Sequence, residues 1–156
     1  MRAFKVEIKW AIVIGIVQLL WLLLEYALGF HGKFIGYQAF TSLLFYVPIV
    51  MVIFYAIKEN MLTLYGGSVN MMQGLKTGFF TTLFAMPLMM IATFFVFQYI
   101  STDFFNRLMT LGIEQGQNQS DLASYIIMKN YLRQLIFFPS MGLLFALIIT
   151  LILKKK

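Results

Sequence analysis

The sequence predicts an all-α integral membrane protein with four transmembrane helices, and three observations support this prediction. Of the 156 residues, 61% are hydrophobic and only 12% are charged, whereas a soluble domain carries about 25% charged residues. Four apolar segments are each long enough to cross the roughly 30 Å hydrocarbon core of a bilayer. Basic residues flank these segments. We expect a single domain over residues 1–156, with spans at about 10–30, 37–57, 79–100 and 131–153.

The first predicted span, Trp10 to Phe30, carries small and polar residues along one helical face. They recur at intervals of three and four residues, so an α-helix stacks them in one stripe, and the other positions are apolar or aromatic. We expect this stripe to pack against protein, either within the bundle or on a partner helix, and the rest to face lipid. Its members are Ala11, Gly15, Gln18, Leu22, Glu25 and Gly29.

The start of the chain also has features of a signal peptide. Arg2, Lys5 and Lys9 precede the apolar run, and Ala27-Leu28-Gly29 satisfies a small-x-small cleavage rule. The run is longer than the roughly 7–15 residues of a signal core, and Glu25 stands before the cleavage position. We therefore expect an uncleaved first helix, with a cleaved signal peptide as the alternative.

Short amphipathic interfacial helices are predicted before the third and fourth spans. Asn70 and Gln73 have capping-box spacing, and Gly74 and Gly78 form a GxxxG pattern where that helix enters the membrane. We expect these glycines to pack within the chain, with a dimer interface as the alternative. Ser120-Asp121 is predicted to start a helix that runs directly into the fourth span. Another short helix is expected to place Phe104, Phe105, Leu108 and Leu111 on one side.

Glu25 is the strongest functional signal, because it is the only acid within the predicted spans. A charge inside a bilayer costs a few kcal/mol or more unless it is paired, solvated or protonated. We predict a polar cluster in which Glu25 pairs with Arg133, supported by Gln98 and by Arg107 or His31. A structural pair that fixes helix register is the first interpretation. A protonatable or ligand-binding group and simple snorkelling to the interface are the alternatives.

Lysine and arginine counts predict the orientation. With the N-terminus inside, eight basic residues lie on the cytoplasmic side and four on the other, which favours two cytoplasmic termini. The cytoplasmic set is Arg2, Lys5, Lys9, Lys58, Lys76 and Lys154 to Lys156, and the opposite set is Lys33, Arg107, Lys129 and Arg133.

Several function classes are disfavoured by composition. The chain has no cysteine and one histidine, so a thiolate nucleophile, a sulfur-rich zinc site and a histidine-rich metal site are excluded. The net charge of +6 comes from residues at span ends rather than from a basic patch interleaved with aromatic residues, which argues against nucleic acid. We expect no cofactor, no metal and no enzymatic activity.

Four stretches carry a resemblance to a known family. They are FKVEIKW at Phe4–Trp10, the run Trp21-x-x-x-Glu25-x-x-x-Gly29-x-His31, the pattern Gly66…Gly74-x-x-x-Gly78, and SDLASYIIMKNYL at Ser120–Leu132. Together they resemble a bacterial membrane-protein family catalogued as a domain of unknown function (forty-one ninety-nine). The resemblance covers nearly the whole chain. It implies a four-span protein of the inner membrane and brings no activity, substrate or cofactor.

These observations favour a non-enzymatic structural or accessory subunit of the bacterial inner membrane. Its expected partners are the lipid bilayer and either further copies of itself or another membrane protein. The alternative is a small oligomeric carrier or proton-coupled permeation unit in which Glu25 titrates. A membrane-embedded enzyme ranks third, because the sequence offers no catalytic set.

Overall fold

The computed structural model describes residues 4–117 and 133–154, with the backbone alone for residues 133 and 134. This part of the chain contains α1 (Lys5–Ala27), α2 (Gln38–Leu44), α3 (Tyr46–Thr63), α4 (Met71–Phe95), α5 (Phe104–Glu114) and α6 (Phe138–Leu153). A 3₁₀ turn at Ile35–Tyr37 precedes α2, and π-helical turns lie at Val96–Ile100 and Arg133–Phe137. The described residues include no β-strand.

Four helical segments of the described chain are long and apolar enough to cross a membrane. They are Lys5–Ala27, Ile35–Thr63, Met71–Ile100 and Leu135–Leu153. The prediction of an all-helical chain with four membrane-length helices is therefore confirmed.

Helix α1 buries three polar side chains and exposes a stripe of aliphatic ones. Glu7, Gln18 and Glu25 are buried. The exposed stripe repeats every four residues and consists of Ile8, Ile12, Ile16, Leu20 and Leu24. A surface helix of a soluble protein shows the opposite pattern, so α1 has the surface of a helix that faces lipid.

Both ends of α1 differ from the predicted span. The helix begins at Lys5 rather than Trp10, which places Glu7 in its first turn. It ends at Ala27, because Gly29 adopts a positive φ of 82°. The N–H of Phe30 donates to the Glu25 carbonyl at 2.9 Å and the N–H of Gly29 to the Tyr26 carbonyl at 3.0 Å, which is a Schellman motif. Gly29 therefore lies in the turn and not on the helical stripe.

Helix α4 begins at the predicted position but is longer than predicted. Asn70 and Gln73 form the capping box, with side-chain bonds of 2.9 Å in each direction. The helix then continues without interruption to Phe95. The helix start predicted at Asn70 is therefore confirmed, and the capped turn is the first turn of the span itself. The helix predicted to begin at Ser120-Asp121 lies outside the described residues.

Two of the three prolines lie at irregular places in the later spans. Pro48 provides no N–H for the carbonyl of Leu44 and crowds it, and α2 ends at that residue. Pro139 lies in the first turn of α6, directly after the π-helical turn Arg133–Phe137. Pro87 lies inside α4 without ending it, as membrane helices allow.

Small residues let the helices approach closely. A Cβ atom added at Gly15 of α1 would lie 2.8 Å from the Cβ of Leu88 on α4, so the stripe on α1 packs inside the bundle. The GxxxG pattern of α4 packs in the same way against α6, within the chain. There the facing pairs are Gly74 with Thr150, Gly78 with Ala146, and Gly142 with Thr82.

The bundle has two ends, which we call the Glu7 end and the Glu25 end. Glu7 contacts Asn60 near the end of α3, and Asn60 in turn contacts Thr77 near the start of α4. Glu25 contacts Thr41 at the other end of the second segment. Because the four segments alternate in direction, the first and last described residues both lie at the Glu7 end.

Candidate functional site

The candidate site is built around Glu25 in the last turns of α1. Its side chain is 3% exposed, and the Schellman motif that ends the helix holds its backbone carbonyl. An ionised carboxylate so deeply buried must find hydrogen-bond donors or a positive charge nearby. The surroundings of Glu25 provide two hydrogen-bond donors and an imidazole ring.

Two side chains donate hydrogen bonds to the same oxygen of Glu25. Trp21, one turn earlier on α1, donates from Nε1 to Oε1 at 3.1 Å. Thr41 of α2 donates from Oγ1 to Oε1 at 2.7 Å. The first bond fixes the rotamer of the acid within its own helix, and the second ties α1 to the next segment.

The second carboxylate oxygen faces His31. Nε2 of His31 lies 3.5 Å from Oε2 of Glu25, and both side chains are almost completely buried. The distance is longer than the roughly 2.7–2.9 Å of a charge-assisted hydrogen bond, so this is an ion-pair contact when the imidazole is protonated. Neither ring nitrogen has a hydrogen-bond partner among the described residues.

Aromatic rings hold His31 in place. Its ring centroid lies 5.4 Å from that of Phe97, 4.8 Å from Phe104 and 6.1 Å from Tyr26. The turn after α1 brings the histidine back toward the helix, and this reversal requires the positive φ of Gly29. The local chain direction therefore creates the Glu25–His31 contact.

A cavity of about 420 Å³ lies above His31 at the Glu25 end. Its wall combines polar and charged side chains with backbone from the turns after α1 and α4, and Glu25 is not among the described residues that line it. The side chains that matter here are those of Tyr26, His31, Ser101, Asp103 and Arg107. Of the described residues that line the cavity, His31 is the one whose side chain pairs with the Glu25 carboxylate.

Neither Gln98 nor Arg107 is a hydrogen-bond or ion-pair partner of Glu25 among the described residues. Gln98 is exposed. Arg107 is exposed at the cavity, 4.0 Å from Asp103 and close to Gly32. The side chain of Arg133 lies outside the described residues, so the Glu25–Arg133 pair stays a prediction.

A second buried polar cluster lies at the Glu7 end. The Nδ2 group of Asn60 donates to Glu7 Oε1 at 2.7 Å and to Thr77 Oγ1 at 3.0 Å. All three residues are buried. The sequence interpretation missed this cluster because it placed Glu7 before the membrane and Asn60 at the end of a span. The available signal was the spacing of Glu7, which continues the stripe through Ala11 by one turn.

Comparison with family models supplies the identification. Residues 9–155 match the model described as a protein of unknown function (DUF4199). The chain belongs to this family. Searches of curated proteins and of solved structures gave no match. The suspected family is thus confirmed, and membership in the DUF4199 family assigns no activity.

The site of this DUF4199 protein consists of hydrogen-bonding and ion-pairing groups. In the residues that the structure describes, no three histidine or acidic side chains converge as metal ligands. Trp21 and Thr41 were not predicted as partners of Glu25. For Trp21 the signal was its spacing of four residues before the acid, which places both on one helical face. For Thr41 it was a hydroxyl group in the adjacent span.

Proposed function

We propose that this protein is a non-enzymatic structural or accessory subunit of a bacterial inner membrane. The observation that carries the proposal is the coordination of Glu25. Trp21 and Thr41 bond one of its oxygens, His31 faces the other, and the carboxyl group is absent from the cavity wall among the described residues. An acid held in this way fixes the relative position of helices.

Helix packing supports the same proposal. The stripe on α1 and the GxxxG pattern on α4 are both used inside the bundle, as shown by the contacts of Gly15 with Leu88 and of Gly78 with Ala146. Any membrane-protein partner or second copy would then use the lipid-facing surfaces instead.

The proposed orientation places both termini in the cytoplasm. The lysine and arginine counts favour it, and the first and last described residues lie at one end of the bundle, as this topology requires. The Glu25 end and its cavity then face the periplasmic side.

One observation favours a second candidate, a small proton-coupled permeation unit. Glu25 and His31 are two titratable side chains in contact, and His31 lines a cavity. A proton arriving in that cavity would need only to pass through the imidazole to reach the carboxylate. This would require His31 to accept at one nitrogen and release at the other.

Reconstitution in liposomes separates the two candidates. We would measure decay of an imposed pH gradient with an internal dye, for the wild type, Glu25→Gln and Thr63→Ala, an exposed substitution at the opposite end. As a structural subunit, the wild type should leave the decay at the rate of protein-free liposomes, and Glu25→Gln should lower only the resistance to denaturant. Proton flux in the wild type that Glu25→Gln abolishes and Thr63→Ala retains would contradict the structural role and support permeation.

A further inference from the structure

Within the part of the chain that the structure describes, the cluster around Glu7 contains two buried oxygen atoms with no hydrogen-bond partner. Oε2 of Glu7 and Oδ1 of Asn60 each lack a hydrogen-bond partner among the described residues, although the two side chains are already joined through Oε1 and Nδ2. An amide oxygen and an ionised carboxylate oxygen can only accept. A buried acceptor without a donor destabilises the folded state. One of these two oxygens is therefore expected to carry a proton that it donates to the other.

No described cation neutralises Glu7. The ion pairs of the described residues join Lys9 to Glu59, His31 to Glu25 and Arg107 to Asp103. Charged groups on the helices around the cluster lie at the surface or pair elsewhere: Lys5 and Lys9 on α1, Lys58 and Glu59 on α3, Lys76 on α4, and Lys154 after α6. With respect to the residues that the structure describes, an ionised Glu7 would therefore be a buried charge without a counter-charge.

We propose that Glu7 is a proton-binding site. Its Oε2 carries the proton and donates it to Oδ1 of Asn60, while Nδ2 of Asn60 donates to Oε1. One hydrogen then satisfies both orphaned atoms and removes the buried charge. The acid and the amide form a neutral pair joined by two hydrogen bonds, and Thr77 accepts the remaining N–H of the amide.

The amide orientation favours a proton over a metal cation. The Nδ2 group of Asn60 points into the cluster, toward Glu7 and Thr77, and its positive hydrogens would repel a cation held there. Hard cations are bound by a shell of oxygen ligands. Here a nitrogen donor occupies the centre of the cluster.

Infrared difference spectroscopy of the full chain in lipid vesicles tests the proposal. At neutral pH in sodium-free choline buffer, the wild type minus Glu7→Gln should show the carbonyl band of a protonated carboxylic acid. Glu25→Gln, the matched variant at the opposite end of the same helix, should retain this band. Asn60→Leu should shift the band to higher frequency, because the acid loses its acceptor.

Thermal unfolding provides a measurement that does not depend on the band. The side-chain amide introduced by Glu7→Gln would supply the same donor and acceptor as a protonated acid, so this variant should unfold within about 2 °C of the wild type. Three spectroscopic outcomes would overturn the proposal: the wild type shows no acid band, Glu25→Gln loses the band, or the band disappears when sodium is added. So would a large fall in unfolding temperature in Glu7→Gln.

Discussion

Oxygen Oε1 of Glu25 receives both of the hydrogen bonds that Trp21 and Thr41 donate to this residue, while Oε2 faces His31. The two oxygens therefore have different roles. Oε1 positions the side chain, and Oε2 interacts with a group whose charge can change. Substitutions on the two sides of the carboxyl group should for this reason have separable effects.

Thr41→Val should destabilise the protein by about 1–2 kcal/mol, because it removes a hydrogen bond to a buried carboxylate while keeping the side-chain shape. Denaturant titration in mixed micelles measures the change. Thr41→Ser is the matched control, since it keeps the hydroxyl group that donates at 2.7 Å. Wild-type stability in Thr41→Val would show that the hydrogen bond to Glu25 does not stabilise the protein.

At the scale of elements, the start of α4 depends on one reciprocal cap. Asn70→Ala should cost about 0.5–2 kcal/mol, because the N–H of Gln73 loses its side-chain acceptor. Hydrogen exchange at the first turn of α4 should accelerate. Asn70→Asp keeps an acceptor oxygen, so the amides of this turn should exchange as slowly as in the wild type. Unchanged exchange in Asn70→Ala would contradict the role of the cap.

The contact between α4 and α6 leaves no room for a methyl group. Gly78→Ala should destabilise the bundle by about 1–3 kcal/mol, because the new Cβ would overlap Ala146. Gly36→Ala is the control, since a Cβ there meets no atom within 4 Å. If Gly78→Ala unfolds at the same denaturant concentration as Gly36→Ala, the helices are not packed as closely as described.

At the scale of the whole molecule, the absence of cysteine allows the topology to be tested with single introduced thiols. Ser68→Cys and Lys33→Cys place a thiol at the Glu7 end and near the Glu25 end, respectively. In intact cells a membrane-impermeant thiol reagent should label the second variant and not the first. The reverse pattern would overturn the proposed orientation.

The number of spans and the inward-facing stripe of α1 could be predicted from the sequence. Hydropathy and helical periodicity are averages over many residues, so they do not depend on the exact position of any one of them. The immediate neighbours of Glu25 could not be predicted in this way. Depth in the membrane alone predicts several polar residues as equal candidates for the partner of Glu25. The choice of His31 depends on the positive φ of Gly29, which reverses the chain after α1. Glu7 was missed for a related reason: a helix begins where backbone hydrogen bonding begins, and not where hydropathy rises.

The number of residues between Glu7 and Glu25 limits which insertions and deletions α1 can accept. Eighteen residues make five turns of an α-helix and span about 27 Å, so both acids lie on one face of α1, at a separation close to the roughly 30 Å thickness of a bilayer's hydrocarbon. Inserting or deleting one residue between them would rotate one acid by about 100° relative to the other. One carboxyl group would then turn out of the bundle. The length of α1 should therefore tolerate change far less than its exposed aliphatic side chains do.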